Sequence, residues 1–249
     1  MPTYVLMKAF ENAPAKYDAA MEFVTLGRIS RLKTEIASAV KGEGRRILEL
    51  GCGAGTLAAQ MAGRGAVVLG IDTSESMLEI ARERAAAAGV ADKVELRRLS
   101  VMEIDQLPDR SFDAVVSTLV LSELSEEEIE FVLDRSRQLL VPGGELLIAD
   151  EVAPPGRWRR VFFRLLRFPF QLATYLITQA QSLPGTGWSR KLFYFAIELP
   201  LMLLVFFLVP ASSRPLVDIE AMVKRAGFRP TGASDYLGGT LVLVRAEAV

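Results

Sequence analysis

A glycine-rich turn between two apolar runs constrains the fold of this chain more than any other feature. The first run covers residues 46–50, and three glycines follow it at alternate positions. These are Gly51, Gly53 and Gly55. A helix-like stretch then leads to the second run, 67–71, which ends at Asp72. Because glycine allows positive φ angles and close approach of the backbone to a ligand, this order predicts an open parallel sheet with a nucleoside pocket at the carboxyl ends of its strands.

Two carboxylates flank the turn and indicate the charge of the ligand. Asp72 lies 21 residues after Gly51, a distance at which an acid can accept hydrogen bonds from both ribose hydroxyls. Glu49 precedes the first glycine and would repel a pyrophosphate there. The spacing Gly-x-Gly-x-Gly also differs from the Gly-x-Gly-x-x-Gly of dinucleotide sites. A cationic nucleoside suits this pocket, and S-adenosylmethionine, with its ammonium and sulfonium groups, is the expected ligand.

Four motifs occur in a fixed order along roughly residues 45–152 of the chain. They are the segments 48–56, 70–78, 111–117 and 139–148. With them the chain resembles the class I S-adenosylmethionine-dependent methyltransferases, in the branch that contains quinone, sterol and small-molecule methyltransferases. The resemblance implies an α/β fold with a Rossmann-like, doubly wound, mostly parallel seven-stranded sheet.

The resemblance also implies which residues contact the cofactor. The three glycines would cradle the methionine portion, Glu49 would orient its ammonium group, and Asp72 would hold the ribose. Thr73 and Met77 would flank the adenine, and Ser117 and Thr118, at the end of strand four, would face the reacting centre. Tyr17 would touch the methionine end, although it could equally be an ordinary half-buried helix aromatic. The expected contacts are Tyr17, Glu49, Gly51, Gly53, Gly55, Asp72, Thr73, Met77, Met102 and Ser117.

Two positions depart from the family pattern. Many relatives carry an acid after strand three that meets the adenine amine, whereas Val101 or Met102 occupies that position here. A histidine pair is common after strand four, whereas this chain has Ser122 and Glu123 there and no histidine anywhere. A general base must therefore be another residue type, and Glu123 and Asp150 are the candidates. Either could instead be a solvated loop acid or a cap.

Composition excludes several classes of protein. The net charge of −1 gives no global field that would favour nucleic acid. One cysteine and no histidine leave neither a disulfide framework nor a zinc cluster, so no metal is expected. Cys52 is expected to be a small buried residue. The polar N-terminus has no signal-peptide pattern, which predicts a cytoplasmic location, at the inner face of the membrane.

The chain divides into four predicted regions. They are an N-terminal helical cap at 1–45, a cofactor-binding core at 46–152, an apolar helical insertion at 153–214, and a C-terminal helix with the last two strands at 215–249. Strands are expected at 46–50, 66–71, 93–99, 113–118, 145–150, 228–236 and 240–246. Pro142-Gly143-Gly144 is expected to turn the chain into strand five, and Ser125 to begin a helix as a capping box.

The insertion carries the evidence on the acceptor. Polar residues recur every three or four positions from Arg157 to Gln181, and the run 192–210 has 13 Leu, Ile, Val or Phe residues and one charge, Glu198. This pattern favours helices at a membrane surface (157–210) or over the active site, ahead of a spanning hairpin. It predicts a lipophilic acceptor such as a quinone, isoprenoid or lipid. Two alternatives stay open: a non-catalytic, membrane-associated cofactor-binding protein, and a soluble small-molecule methyltransferase whose insertion is a homodimer interface.

Overall fold

The computed structural model describes residues 27–40, 42–152, 216, 218–236 and 239–249. Tyr17 and the insertion expected at 153–214 lie outside the described residues, as does most of the N-terminal cap. The described residues form the core of the sheet and the helices attached to it.

Within the described residues, seven strands form one mixed sheet in the order β3-β2-β1-β4-β5-β7-β6. The strands are β1 Arg46–Leu50, β2 Val67–Asp72, β3 Val94–Arg98, β4 Phe112–Thr118, β5 Leu140–Glu151, β6 Phe228–Tyr236 and β7 Leu241–Ala248. Strands β1 to β5 pair in parallel, whereas β7 is antiparallel to both β5 and β6. This arrangement confirms the expected Rossmann-like fold.

Strand five differs from its prediction. It begins at Leu140, so the Pro142-Gly143-Gly144 segment lies inside the strand and does not precede it. The pairing with β4 is irregular at this point, because Phe112 is opposite Leu140 while Ala114 is opposite Glu145. The glycines accommodate this irregularity within the strand, a use of glycine that local turn signals do not distinguish from a chain reversal.

Five α-helices and three 3₁₀ helices are formed by the described residues. The α-helices are α1 Arg28–Ala39, α2 Thr56–Ala62, α3 Glu75–Ala87, α4 Glu126–Leu139 and α5 Ile219–Arg225. The 3₁₀ helices are Ala91–Lys93, Val101–Gln106 and Leu121–Glu123. Helix α4 begins with the expected capping box: Glu128 N–H donates to Ser125 Oγ (3.3 Å), and Ser125 N–H donates to Glu128 Oε2 (2.7 Å).

Helices cover both faces of the sheet. One face packs Ile47 and Val116 against α1 and α2, and the other packs Leu48 and Val115 against α4 and α5. Because successive residues of a strand point to opposite faces, the central parallel strands are apolar on both sides. The polar groups at their carboxyl ends are therefore exceptions to a continuous apolar core.

Among the described residues, no helix combines the length and apolar character needed to cross a membrane. The apolar segment 157–210, for which a membrane surface was expected, lies outside the described residues.

A polar cluster fastens α1 to the distant edge of the sheet. The Glu35 carboxylate accepts hydrogen bonds from the hydroxyl of Ser234 (3.1 Å), the hydroxyl of Tyr236 and the guanidinium of Arg245. Burial and this carboxylate raise the pKa of Tyr236 to about 12. Because the donors lie on β6 and β7, about 200 positions from Glu35, the cluster sets the position of α1 over the sheet.

The cluster predicts a stability effect of Glu35→Ala. The substitution leaves three donors without their acceptor, and we expect a loss of about 2 kcal/mol in the free energy of unfolding, measured by urea denaturation. Glu220→Ala is the matched control, since the exposed Glu220–Lys224 ion pair on α5 is expected to contribute at most about 0.5 kcal/mol. Equal losses in both variants would contradict the special role of the cluster.

Candidate active site

A cavity of about 300 Å³ opens at the carboxyl ends of β1, β2 and β4. The chain runs from β1 outward to β2 and β3, then crosses back to β4 on the other side of β1. Ligands of open α/β sheets bind at this kind of switch point, where neighbouring connections diverge and leave a crevice. Helix α1 reaches the cavity through Ile29 and Lys33.

The three glycines after β1 serve different purposes. All three have positive φ, 67° at Gly51, 50° at Gly53 and 71° at Gly55. A Cβ at Gly51 would lie 2.4 Å from Val120 Cγ2, and one at Gly55 would lie 2.6 Å from Ala81 Cβ, whereas Gly53 faces open space. Gly51 and Gly53 line the cavity, while Gly55 lets α2 approach α3.

Asp72 joins the loops that form the floor of the cavity. Its Oδ2 accepts the N–H of Gly53 (2.8 Å), and its Oδ1 accepts the N–H of Ser74 (2.9 Å). A carboxylate offers about four acceptor positions, so Asp72 retains capacity for further donors such as ribose hydroxyls. The structure thus places Asp72 where the spacing from Gly51 predicted, with an additional role in shaping the glycine turn.

Glu49 is a buried carboxyl group in the wall of the cavity. Its side chain is 3% exposed, and Oε2 has no hydrogen-bond partner among the described residues. Burial raises the pKa of Glu49 to about 8; Asp72 also raises it, while the charge of Lys33 lowers it. An unpartnered buried carboxyl oxygen costs free energy that a cationic ligand group would offset. The buried, unpartnered carboxyl oxygen of Glu49 therefore fits the ammonium group of S-adenosylmethionine, which would donate to it.

The remaining cofactor candidates divide into those that reach the cavity and those that do not. Thr73 and Met77 line it, as does Val101, while Met102 packs against the core cluster of the α4 face. Of the two residues considered for the adenine side, Val101 lines the cavity and Met102 does not. Both residues lie in the 3₁₀ helix Val101–Gln106 and pack against that same core cluster.

Strand alternation separates Ser117 from the cavity. Ser117 is buried and its Oγ has no partner among the described residues, but it does not line the cavity. Thr118, the next residue, does line it, and its Oγ1 is likewise without a partner in the described part of the chain. Because successive strand residues point to opposite faces, only one of the two can share the face of Glu49. Thr118 is that residue.

The two acids proposed as bases have different environments. Glu123 lines the cavity, in the 3₁₀ helix after β4. Asp150 does not line it and is fully buried, with Oδ2 accepting the N–H of Ser122 (3.1 Å) and Oδ1 that of Glu151 (2.7 Å). Burial raises the pKa of Asp150 to about 6. Both oxygens of Asp150 thus serve the backbone, which does not suit a base that must reach an acceptor.

Sequence reasoning missed several residues of the cavity wall. Lys33 lies one helical turn after Ile29 on α1, and the two line the cavity together. The spacing of four residues carries that signal, but nothing local tells which face of α1 meets the cavity. Leu119, Val120 and Leu124 form an apolar wall after β4. Cys52 also lines the cavity and is a small buried residue, as predicted.

Comparisons with known proteins agree with this geometry. A family model described as a methyltransferase domain matches residues 47–144. The chain is 31% identical over 245 residues to a demethylmenaquinone methyltransferase of Symbiobacterium thermophilum, over 94% of this chain and 88% of that protein. The chain belongs to the class I S-adenosylmethionine-dependent methyltransferases. The cofactor of this family is S-adenosylmethionine, so it is the ligand against which the positions of Glu49 and Asp72 in the cavity are compared.

Two further comparisons bear on the extent of the likeness. The chain is 34% identical over 145 residues to a ubiquinone biosynthesis O-methyltransferase of Dechloromonas aromatica, over 58% of this chain and 61% of that protein. The match thus spans about three fifths of the relative's length. A solved S-adenosylmethionine-dependent methyltransferase from Aquifex aeolicus has a TM-score of 0.55 at 20% identity, over 88% of this chain and 93% of that one, which shows the shared fold.

The position of Asp72 predicts a loss of cofactor binding in Asp72→Ala. The variant removes the acceptor for the ribose hydroxyls and frees the Gly53 and Ser74 amides, so calorimetry should show S-adenosylmethionine affinity lower by at least about 100-fold. Asp92→Ala, which removes an exposed acid from the 3₁₀ helix Ala91–Lys93, should bind as the unmodified protein does. Unchanged affinity in Asp72→Ala would reject this assignment.

The environment of Glu49 predicts proton-linked cofactor binding. Because its pKa in the free protein is about 8, Glu49 contributes stability below its ordinary pKa of 4.5 that is lost as pH rises through 8. A cationic ligand favours the ionised form, so affinity should rise between about pH 6 and 8, by up to about tenfold per unit. Calorimetry in two buffers of different ionisation enthalpy would detect the released proton.

Glu49→Gln should abolish this dependence and bind the cofactor more weakly at pH 8. Glu43→Gln provides the control, since the Glu43 side chain is 83% exposed and lies outside the cavity. A flat affinity profile in the unmodified protein would disprove the link between Glu49 and the ligand charge.

Proposed function

We propose that this methyltransferase transfers the methyl group of S-adenosylmethionine to a lipophilic acceptor related to quinones, isoprenoids or membrane lipids. The observation that carries the proposal is the mixed lining of one cavity. Its lining includes both the carboxyl groups of Glu49 and Asp72 and the apolar side chains of Leu119, Val120 and Leu124. Such a site suits a charged donor and an apolar acceptor at the same time.

The donor side of the proposal rests on four groups of the chain. Glu49 binds the ammonium group, Asp72 accepts the ribose hydroxyls, and Gly51 and Gly53 let the backbone approach the methionine portion. The cofactor, when bound, supplies a methyl group already activated by its sulfonium. The protein then has mainly to align the acceptor and to exclude water from the site.

The acceptor side rests on the segment after β4. Its three leucine and valine side chains are partly buried and line the cavity, so an apolar ring or chain would bury surface against them. Glu123 also lines the cavity, which supports the proposal that its carboxylate accepts a proton from the acceptor or orients it. Asp150 is not assigned this role, since its oxygens are held by backbone amides.

The relatives support a quinone-type acceptor within this class. Proteins with 31–34% identity are named demethylmenaquinone methyltransferase and ubiquinone biosynthesis O-methyltransferase. The apolar composition of residues 153–214 agrees with an acceptor that resides in a membrane. We further propose that segment 157–210 contacts the cytoplasmic face of the membrane, where each arginine near anionic headgroups would contribute about 1 kcal/mol.

A matched pair of acceptors tests the proposal. One is a demethylated quinol with an isoprenoid tail, presented in anionic vesicles, and the other has the same headgroup without the tail. Because the tail adds apolar surface that the site can bury, kcat/KM should be at least about tenfold higher for the tailed quinol. Labelled S-adenosylmethionine and mass spectrometry of the extracted product would measure both.

Two outcomes would contradict this function. Equal turnover of the headgroup without its tail would favour a small-molecule methyltransferase with no need for a membrane. Tight cofactor binding without product from the quinols or from host lipid extracts would favour a non-catalytic cofactor-binding protein.

A further inference from the structure

The segment that follows β4 adopts a backbone conformation that few L-residues adopt. Leu119 has a φ of 61°, in the left-handed region that side chains with a Cβ rarely occupy. The 3₁₀ helix Leu121–Glu123 follows directly. This segment, residues 119–124, forms the acceptor-side wall of the cavity and carries Glu123. Since strained conformations persist only where surrounding structure enforces them, the contacts that hold the wall are of functional interest.

Two hydrogen bonds tie the wall to the end of β5. Leu119 N–H donates to the carbonyl oxygen of Ala149 (2.8 Å), and Ser122 N–H donates to Oδ2 of Asp150 (3.1 Å). The first bond continues the pairing of two parallel strands, in which Thr118 is opposite Ala149. The second depends on a side chain. Of these two hydrogen bonds, only the one to Asp150 can be removed by substituting a side chain.

The surroundings of Asp150 make this attachment specific. Asp150 is 0% exposed and Ser122 is 7% exposed, so water does not compete for either group. The second oxygen, Oδ1, accepts the N–H of Glu151 (2.7 Å), which orients the carboxylate. On its other side the wall meets the glycine turn, where a Cβ at Gly51 would lie 2.4 Å from Val120 Cγ2. The wall is thus held between β5 and the cofactor loop.

We propose that Asp150 is a positioning residue of the acceptor site, whose carboxylate holds Ser122 and thereby places Glu123 and the apolar wall opposite the cofactor. Its role in the reaction is indirect, because it does not line the cavity. This inference rests on the proposed function for its catalytic consequence, but its structural part concerns the free protein alone. The pKa of Asp150, about 6, leaves the carboxylate mainly ionised at neutral pH, the form that accepts both amides.

The structural part is tested by hydrogen exchange in Asp150→Ala and Asp150→Asn. Loss of the acceptor should raise amide exchange across residues 118–124 by about tenfold in Asp150→Ala, with less change in Asp150→Asn, which keeps one carbonyl oxygen. Peptides covering the glycine turn should be unaffected. Asp113→Ala is the matched control, since Asp113 Oδ2 also accepts a backbone N–H, that of Arg46 (2.7 Å), at the opposite ends of the strands.

The catalytic part is tested with the tailed quinol. In Asp150→Ala, kcat should fall by about 30-fold while the affinity for S-adenosylmethionine stays within about threefold, because misplacement of the acceptor wall leaves the donor side intact. Asp150→Asn should recover much of this loss, because asparagine still offers an oxygen to the Ser122 amide. If Asp150 acted as a general base, the asparagine variant would show no such recovery. Asp113→Ala should retain full activity and unchanged exchange at 118–124.

Three results would overturn the inference. They are unchanged exchange at 118–124 in Asp150→Ala, an equal fall in cofactor affinity and turnover, and an Asp150→Asn variant as inactive as Asp150→Ala. If the unmodified protein methylates neither quinol, the proposed function fails, while the exchange experiment still decides whether Asp150 holds the wall.

Discussion

The cofactor site depends on one acidic side chain that joins two loops. Leu50 and Ile71 are neighbours in a parallel pair, so the loops that follow β1 and β2 leave the sheet side by side. Asp72 accepts an amide hydrogen from each, through Gly53 and Ser74. Because both bonds end on one carboxylate, the shape of the glycine turn and the position of the Asp72 carboxylate are set together.

Glu49 gives the same site its charge preference. A buried carboxyl without a partner on Oε2 is costly to ionise, and each unit by which its pKa rises corresponds to about 1.4 kcal/mol. A cationic ligand removes that cost, whereas a pyrophosphate would increase it. The cost of ionising Glu49 therefore favours a sulfonium cofactor with its positively charged ammonium group over a pyrophosphate. Apolar residues after β4 line another part of the same cavity.

The sequence predicted those features that depend on near neighbours along the chain. The positions of the strands other than strand five, the Ser125 capping box and the carboxylates around the glycine turn follow from short-range periodicity and spacing, and the structure agrees with them. Spacing was less informative where a side chain's direction depends on packing. Val101 lines the cavity and Met102 does not, Ser117 does not line it, and Asp150 accepts hydrogen bonds from backbone amides.

The donor half of the reaction was predictable from short-range sequence patterns, since a glycine turn with Glu49 before it and Asp72 after it predicts a parallel sheet and a cationic nucleoside. The contacts that hold α1 and the segment after β4 against the sheet could be seen only in the tertiary structure. The Glu35 cluster on α1 and the attachment of residues 119–124 to Asp150 join segments that are distant in the chain. Local propensity contains no information about such contacts, because they form only when the sheet order brings their strands together.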